Sequence, residues 1–425
     1  MKKLSLIILG LLGIAVPVAW YLNDYSTEDI IALFNQNDQA IDLINRDINQ
    51  KPSAAGQTLD TSCEVPVPAS NVVVNVRDFG AAGNGINNDT AAIQAAIDRV
   101  TGTGGTVLVP SGTYMIDAVT KLRLGSNMTF EMKGATLQAI PNNATNYSII
   151  FMNNVSDVNV IGGTLIGERA NHLGTEGEWG MGIAVMSSQN VVIHSVISKD
   201  AWGDGFYVGR SDNNPISSNV KVCSVVADNN RRQGISIVAV DSMLVNNSTF
   251  SNTNGAPPMA GIDIEPDLGD NVNNVIIMNS QMFNNKGTGI TATVPLDYAP
   301  SGNKMITNVI IKNNIVTNNS SEDTSAQGIL ISNSSGNQII NNIVDHNRQD
   351  GIAIVNGAAN NIITGNISTN NGTIKKPANG IGILVYYTHS VNNIVTGNIV
   401  TGNTKASIMD IDTDGRNLIQ DNNEK

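Results

Sequence analysis

A four-residue phrase, glycine–apolar–any–apolar, recurs eight times between Gly182 and Val385. It reads Gly182-Ile183-Ala184-Val185, Gly205-Phe206-Tyr207-Val208, Gly234-Ile235-Ser236-Ile237 and Gly261-Ile262-Asp263-Ile264, and continues from Gly289, Gly328, Gly351 and Gly382. The glycines are 23, 29, 27, 28, 39, 23 and 31 residues apart. A fixed phrase at variable spacing fits stacked coils whose connecting loops differ in length. Within each phrase the apolar residues alternate, as in a short strand with one face on a core. Ile183/Val185, Phe206/Val208, Ile235/Ile237 and Ile262/Ile264 are the expected inward pairs. Short strands joined by polar turns, with no intervening helices, exclude a doubly wound sheet and predict an all-β, right-handed parallel β-helix.

A second phrase supports this. Asn274, Asn308, Asn337, Asn361 and Asn393 each precede an aliphatic pair, and Asn279, Asn313, Asn342, Asn366 and Asn398 follow five residues later. Asparagine tolerates left-handed turns, and its amide can bond the coil above and below. These residues are expected to form a structural ladder.

Composition agrees. The 425 residues are 41% apolar and only 4% aromatic, so the core must be branched aliphatic. The formal charge of −12 repels nucleic acid. Two cysteines, Cys63 and Cys223, cannot make a disulfide scaffold or a cysteine-ligated zinc centre. They either pair or stay free, since nothing in the sequence places them together.

Lys2-Lys3 precede an apolar run, Leu4 to Leu22, ending near Trp20-Tyr21. This predicts an uncleaved membrane anchor at 1–22, with a cleaved signal peptide as the alternative, and an exported, periplasmic or extracellular chain. Residues 23–70 read as an arm: an amphipathic helix over Ser26 to Gln50, then a Pro- and Gly-containing linker. The β-helix is expected over 71–412 and a polar tail over 413–425. A solenoid needs its end plugged. Thr90 to Val100, preceded by Asn88-Asp89 and stopped at Gly102, is the expected amino-terminal capping helix, with Ile93, Ala96, Ile97 and Val100 on one face.

The stretch from Val74 to Tyr114, VNVRDFGAAGNGINNDTAAIQAAIDRVTGTGGTVLVPSGTY, resembles the opening of the pectate-lyase-like superfamily, which includes polygalacturonases and rhamnogalacturonase/epimerase-type proteins. With the repeats, the resemblance implies a right-handed parallel β-helix acting on polysaccharide. It leaves the chemistry open among lyase, hydrolase, epimerase and binding protein. Polygalacturonases carry Asn-Thr-Asp-Gly, Asp-Asp and Gly-His-Gly on successive coils. Here those positions read Trp202-Gly203-Asp204-Gly205, Arg232-Gln233 and Ala260-Gly261. Only the first aspartate matches. Asn229 to Gly234 looks more like a coil of the alginate epimerases, although their Asp-Pro-His-Glu phrase is absent.

Taking each glycine as a register mark stacks Trp179 over Trp202, then Arg231, about 4.8 Å per coil. Flat indoles suit sugar faces, so Trp179 and Trp202 are expected substrate contacts. Asp263 and Glu265 leave one strand on the same side, ~6.6 Å apart, with Asp267 in the following loop. They suit a general acid and base, Asp204 joining them in a hydrolase. Alternatively Asp263, Glu265 and Asp267 suit calcium, with Arg231, Arg232 or Lys199 as base or charge clamp. Tyr207 is a candidate proton donor. An insertion, Gly167 to Gly180, is expected to wall the groove. Its His172 is a candidate base, set against a simpler expectation of a solvated loop histidine. The favoured expectation is β-elimination or C5 epimerisation of a uronate polysaccharide. Hydrolysis, and non-catalytic binding, are the alternatives. Nothing in the sequence sets the oligomeric state.

Overall fold

The computed structural model describes residues 59–424, apart from 298–304, 321–325, 373–379, 387–388 and 412–415. The apolar run and the arm helix lie outside the described residues. Among the described residues no helix is long and apolar enough to cross a membrane.

Each turn of chain contributes three short strands. One turn reads Gln189–His194, Ile197–Lys199 and Phe206–Gly209, and the next reads Ser217–Cys223, Val226–Asp228 and Ile235–Ile237. Corresponding strands of the two turns pair in parallel. The third strands form an eleven-stranded sheet and the other two positions join in a 24-stranded one. The chain is a right-handed parallel β-helix.

The expected inward pairs are in the core: Ile183, Val185, Phe206, Val208, Ile235, Ile237, Ile262 and Ile264 are all 0% exposed. The register glycine has a steric cause. A Cβ on Gly205 would stand 2.7 Å from the carbonyl oxygen of Gly234 on the next coil. Only a residue without a side chain lets the coils close to sheet spacing there.

The asparagines are of two kinds rather than one. Asn314, Asn342, Asn366 and Asn398 are buried, and the backbone N–H and side-chain amide of each donate to Oδ1 of the next at 2.9–3.0 Å. Asn274, Asn279, Asn308 and Asn313 instead take left-handed conformations at φ 52–57°. Asn337, Asn361 and Asn393 belong to the buried kind. The Val309 N–H donates to Asn337, so Asn337 stacks on Val309 and not on Asn308. The expected single alignment was therefore off by one residue between early and late coils.

Thr90–Val100 is helical and buries Ile93, Ala96, Ile97 and Val100. Asn88, not Asp89, caps it, accepting from the Thr90 N–H at 3.0 Å. The strands also run past the expected boundary at 412. Leu418–Gln420 pairs with Ile394–Thr396, so the end of the chain adds to the solenoid instead of forming a polar tail.

The described part of the linker is pinned. Asn159 Nδ2 reaches the Pro66 carbonyl, Lys221 Nζ meets Asp60 Oδ2 at 2.6 Å, and Cys63 is disulfide-bonded to Cys223. Lys221 and the turn at Ser62 hold the Asp60 carboxyl down at about 2. Residues 60–70 thus form a strap over the 24-stranded sheet. The bridge closes a separation of 160 residues. Reduction, or Cys63→Ser, is expected to lower the unfolding free energy by roughly 2–4 kcal/mol, mainly by freeing the unfolded chain. Denaturant melts with and without reductant check this, and an unchanged midpoint would contradict it.

Candidate active site

On the eleven-stranded sheet, Tyr207, Ser236, Asp263 and Thr291 are registered partners on successive strands, all on the side away from the core. One residue before each register glycine stand Asp204 and Gln233. These side chains were expected on the surface, yet Asp204 is 0% exposed and Asp263 3%. Arg232 lies with them. Its Nη1 reaches Asp204 Oδ2 at 3.3 Å and Ser236 Oγ at 3.4 Å. Its Nε is 3.8 Å from Glu178, which comes from the insertion. The Ser236 hydroxyl donates to Asp204 Oδ2 at 2.9 Å. Asp263 Oδ2 accepts from Gln233 Nε2 at 2.5 Å, and Gln233 Oε1 accepts from the Ala260 N–H at 2.8 Å.

Burial dominates the electrostatics. It pushes the Asp204 carboxyl up to about 6, although Arg232 and Ser236 pull it down. It pushes Asp263 up to about 8, with repulsion from Glu265 adding to the effect. Glu265 is raised by burial and by Asp267. Burial, then Asp267 and Asp204, also raise the Tyr207 phenol, which stays neutral. Burial works against the Arg232 charge, but Asp204, Asp263, Glu178 and Glu265 outweigh it and hold the guanidinium above its ordinary value. The cluster is therefore one buried cation among carboxylates of different proton affinity, with a neutral phenol beside them. Such an array can hold, accept and donate protons near neutral pH.

The expected arginine pair separates. Arg232 faces the carboxylates, while Arg231 turns back to the Gly177 carbonyl at 2.9 Å and lies 3.9 Å over the Trp202 ring. His172 stacks on Trp202 at 3.9 Å between ring centres. With these two stacks and a bond from Nε1 to the Glu176 carbonyl, the Trp202 ring is engaged by protein and packs under the insertion. Trp179 is 44% exposed and remains open to a sugar ring. His172 is not a solvated loop residue. Its side chain is 1% exposed, and Nδ1 meets both oxygens of Glu168 at 3.0 Å. The Tyr147 hydroxyl donates to the same carboxylate. This stack fastens the insertion and so places Glu178 against Arg232. Lys199 stands on a strand of the other sheet, away from the carboxylate column.

Calcium fits these residues poorly. Among the described residues, no three His, Cys, Asp or Glu side chains gather closely enough to hold a metal ion. Asp263 Oδ2 is already engaged by the Gln233 amide donor. Asp267, the third expected ligand, lies exposed in its loop. No step is assigned to a metal.

Sequence reasoning missed the roles of Glu178, Ser236 and Gln233. Ser236 and Gln233 occupy register positions that the repeats already marked. Their signal was an acid next to each in the same column, Asp204 before Gln233 and Asp263 after Ser236. Glu178 and the Tyr147–Glu168 pair had none, because a non-repeating loop has no register.

The fold and site define a β-helix protein of a known class. Residues 73–305 match the model described as rhamnogalacturonase A/epimerase, pectate lyase-like, and residues 268–423 match a right-handed β-helix region. The chain belongs to this rhamnogalacturonase/epimerase, pectate-lyase-like family. It is 28% identical over 257 residues to the uncharacterized protein YclG of Bacillus subtilis, covering 52% of this chain and 43% of that one. It is 32% identical over 148 residues to mannuronan C5-epimerase AlgE6 of Azotobacter vinelandii, covering 31% and 17%. The match thus spans less than half the length of these curated relatives. Among solved structures, the A-module of A. vinelandii mannuronan C5-epimerase AlgE4 superposes with a TM-score of 0.68 at 21% identity, covering 83% of this chain and 95% of the module.

Proposed function

We propose that the protein is an exported enzyme that moves the C5 proton of a uronate residue in a polysaccharide, by epimerisation or β-elimination. The observation that carries this reading is the Arg232 guanidinium set among Asp204, Asp263, Glu265 and Glu178, with Tyr207 alongside. Similarity to epimerases named for mannuronan supports a uronate as substrate. Export is supported by the apolar run after Lys2-Lys3 and by the Cys63–Cys223 bridge, a bond suited to an oxidising compartment.

Each residue has a role. Arg232 meets the uronate carboxylate and stabilises the charge that develops on it when C5 loses its proton. Protonated Asp263 donates a hydrogen bond to the same group, and its neutrality lets an anion approach. Glu265, made more basic by burial, takes the C5 proton. Tyr207 returns a proton to the opposite face in epimerisation, or to the departing oxygen in elimination. Asp204 touches no substrate and positions Arg232. Trp179 stacks on a neighbouring sugar.

Activity should fall as pH rises through about 8, where Asp263 loses its proton. Incubating the protein with uronate polymers in deuterated water, at pH 6 to 9, tests this reading. Deuterium at C5 with inverted configuration marks epimerisation, and absorbance from a conjugated uronate marks elimination. Hydrolysis is the second reading. Asp263, held protonated beside Glu265, is also a suitable acid for a glycosidic oxygen. New reducing ends without conjugated product would favour it. Binding without any product would overturn both.

A further inference from the structure

Gln233 is 0% exposed and both ends of its amide are committed. The Ala260 backbone N–H can only donate, so the group facing it must be Gln233 Oε1. The amide nitrogen must then face Asp263. That nitrogen can only donate, so Asp263 Oδ2 must accept. We propose that Gln233 is a positioning residue that reserves Oδ2 of Asp263 as an acceptor, so that the exchangeable proton of Asp263 resides on Oδ1. The inference rests on the reading of Asp263 as a hydrogen-bond donor to the uronate and deepens it. It states which oxygen donates and what keeps it so.

Other groups act on the same carboxyl but cannot make this choice. Glu265, on its own strand, repels the anion. Arg232 attracts it from the preceding coil, and Asp204 repels it from the coil before that. Glu178 and Asp267 act through Arg232 and Glu265 respectively. Thr291, the registered neighbour on the following coil, is uncharged. Of these groups, only Gln233 is hydrogen-bonded to Asp263. A donor bonded to Oδ2 also favours the anion. The Gln233 amide therefore limits how far burial raises the carboxyl.

Two variants test the inference. Gln233→Met removes the donor and keeps the length of the side chain. Gln233→Glu keeps an oxygen for the Ala260 N–H, which guards against a simple folding loss, and replaces the donor. Both are expected to move the Asp263 carboxyl titration upward by roughly half a unit or more. The readout is the ¹³C carboxyl shift of the substrate-free protein against pH. The alkaline limb of the rate profile should move by the same amount. A titration that stays at the wild-type position in both folded variants overturns the inference, as does a lowered rate with an unmoved limb. If the titration moves and no uronate polymer is turned over by any form, the positioning role stands and the proposed function fails. The two failures are therefore distinguishable.

Discussion

Asp263→Asn is expected to retain turnover beyond pH 8, where the wild type loses it, while making the protein more stable. The new amide donates to the uronate as the protonated carboxyl does and cannot ionise, so the fall in rate through about pH 8 should disappear, whereas an acid role in hydrolysis would lose about 10²–10⁴-fold. The gain follows from linkage. The folded carboxyl titrates at about 8, against an ordinary value of 3.8. Between those values the folded chain holds a proton that the unfolded chain has released. Stability therefore falls as pH rises from about 4 to about 8. Asparagine keeps an acceptor for Gln233 and never ionises, so that cost disappears. The variant should gain about 2–4 kcal/mol at pH 8 and little at pH 4. Thermal melts of both proteins at pH 4, 6 and 8 measure this. Turnover in the variant that still falls through pH 8, or a stability difference that does not depend on pH, would refute the account.

Arg232→Met should abolish turnover and destabilise the fold. Asp204 would then be fully buried with only the Ser236 hydroxyl donating to it. Removing one partner of a buried ion pair costs about 3–5 kcal/mol, because the charge left behind is uncompensated. The remaining carboxyl would be driven further above 6 and take up a proton. Adding Asp204→Asn to Arg232→Met should therefore restore at least half of the lost stability and none of the activity. Urea melts of the two single variants and the double variant close the cycle. Additive losses would show that Asp204 does not depend on Arg232.

The fold was legible because its signals are periodic. The alternation at Ile235/Ile237 and Ile262/Ile264 and the recurring glycine both reflect one stacking distance. The Asp263-x-Glu265 pair was visible for the same reason, since register made it stand out among neutral neighbours. Periodicity also misled. Asn308 and Asn337 occupy similar phrases, yet Asn337 stacks on Val309. The partition of Arg231 and Arg232 was invisible, because it is decided by Trp202, His172 and Glu178. Those contacts come from an insertion of irregular length, whose docking leaves no repeat to read. Burial of Asp204 and Asp263 was hidden likewise, since a strand position shows which side a residue faces but not what covers it.

The strap changes how the rod is carried. Ser70 bonds Gly104 on an early coil, Pro66 meets Asn159, and Asp60 meets Lys221 several coils further on. Read from residue 70 back to residue 60, the chain climbs the shaft. It is locked to the coil of Cys223 by Cys63. Residue 60 consequently stands on the flank of the rod and not at its tip. A pull applied at residue 60 would therefore act on the shaft through the Cys63–Cys223 bridge, side-on to the stacked coils.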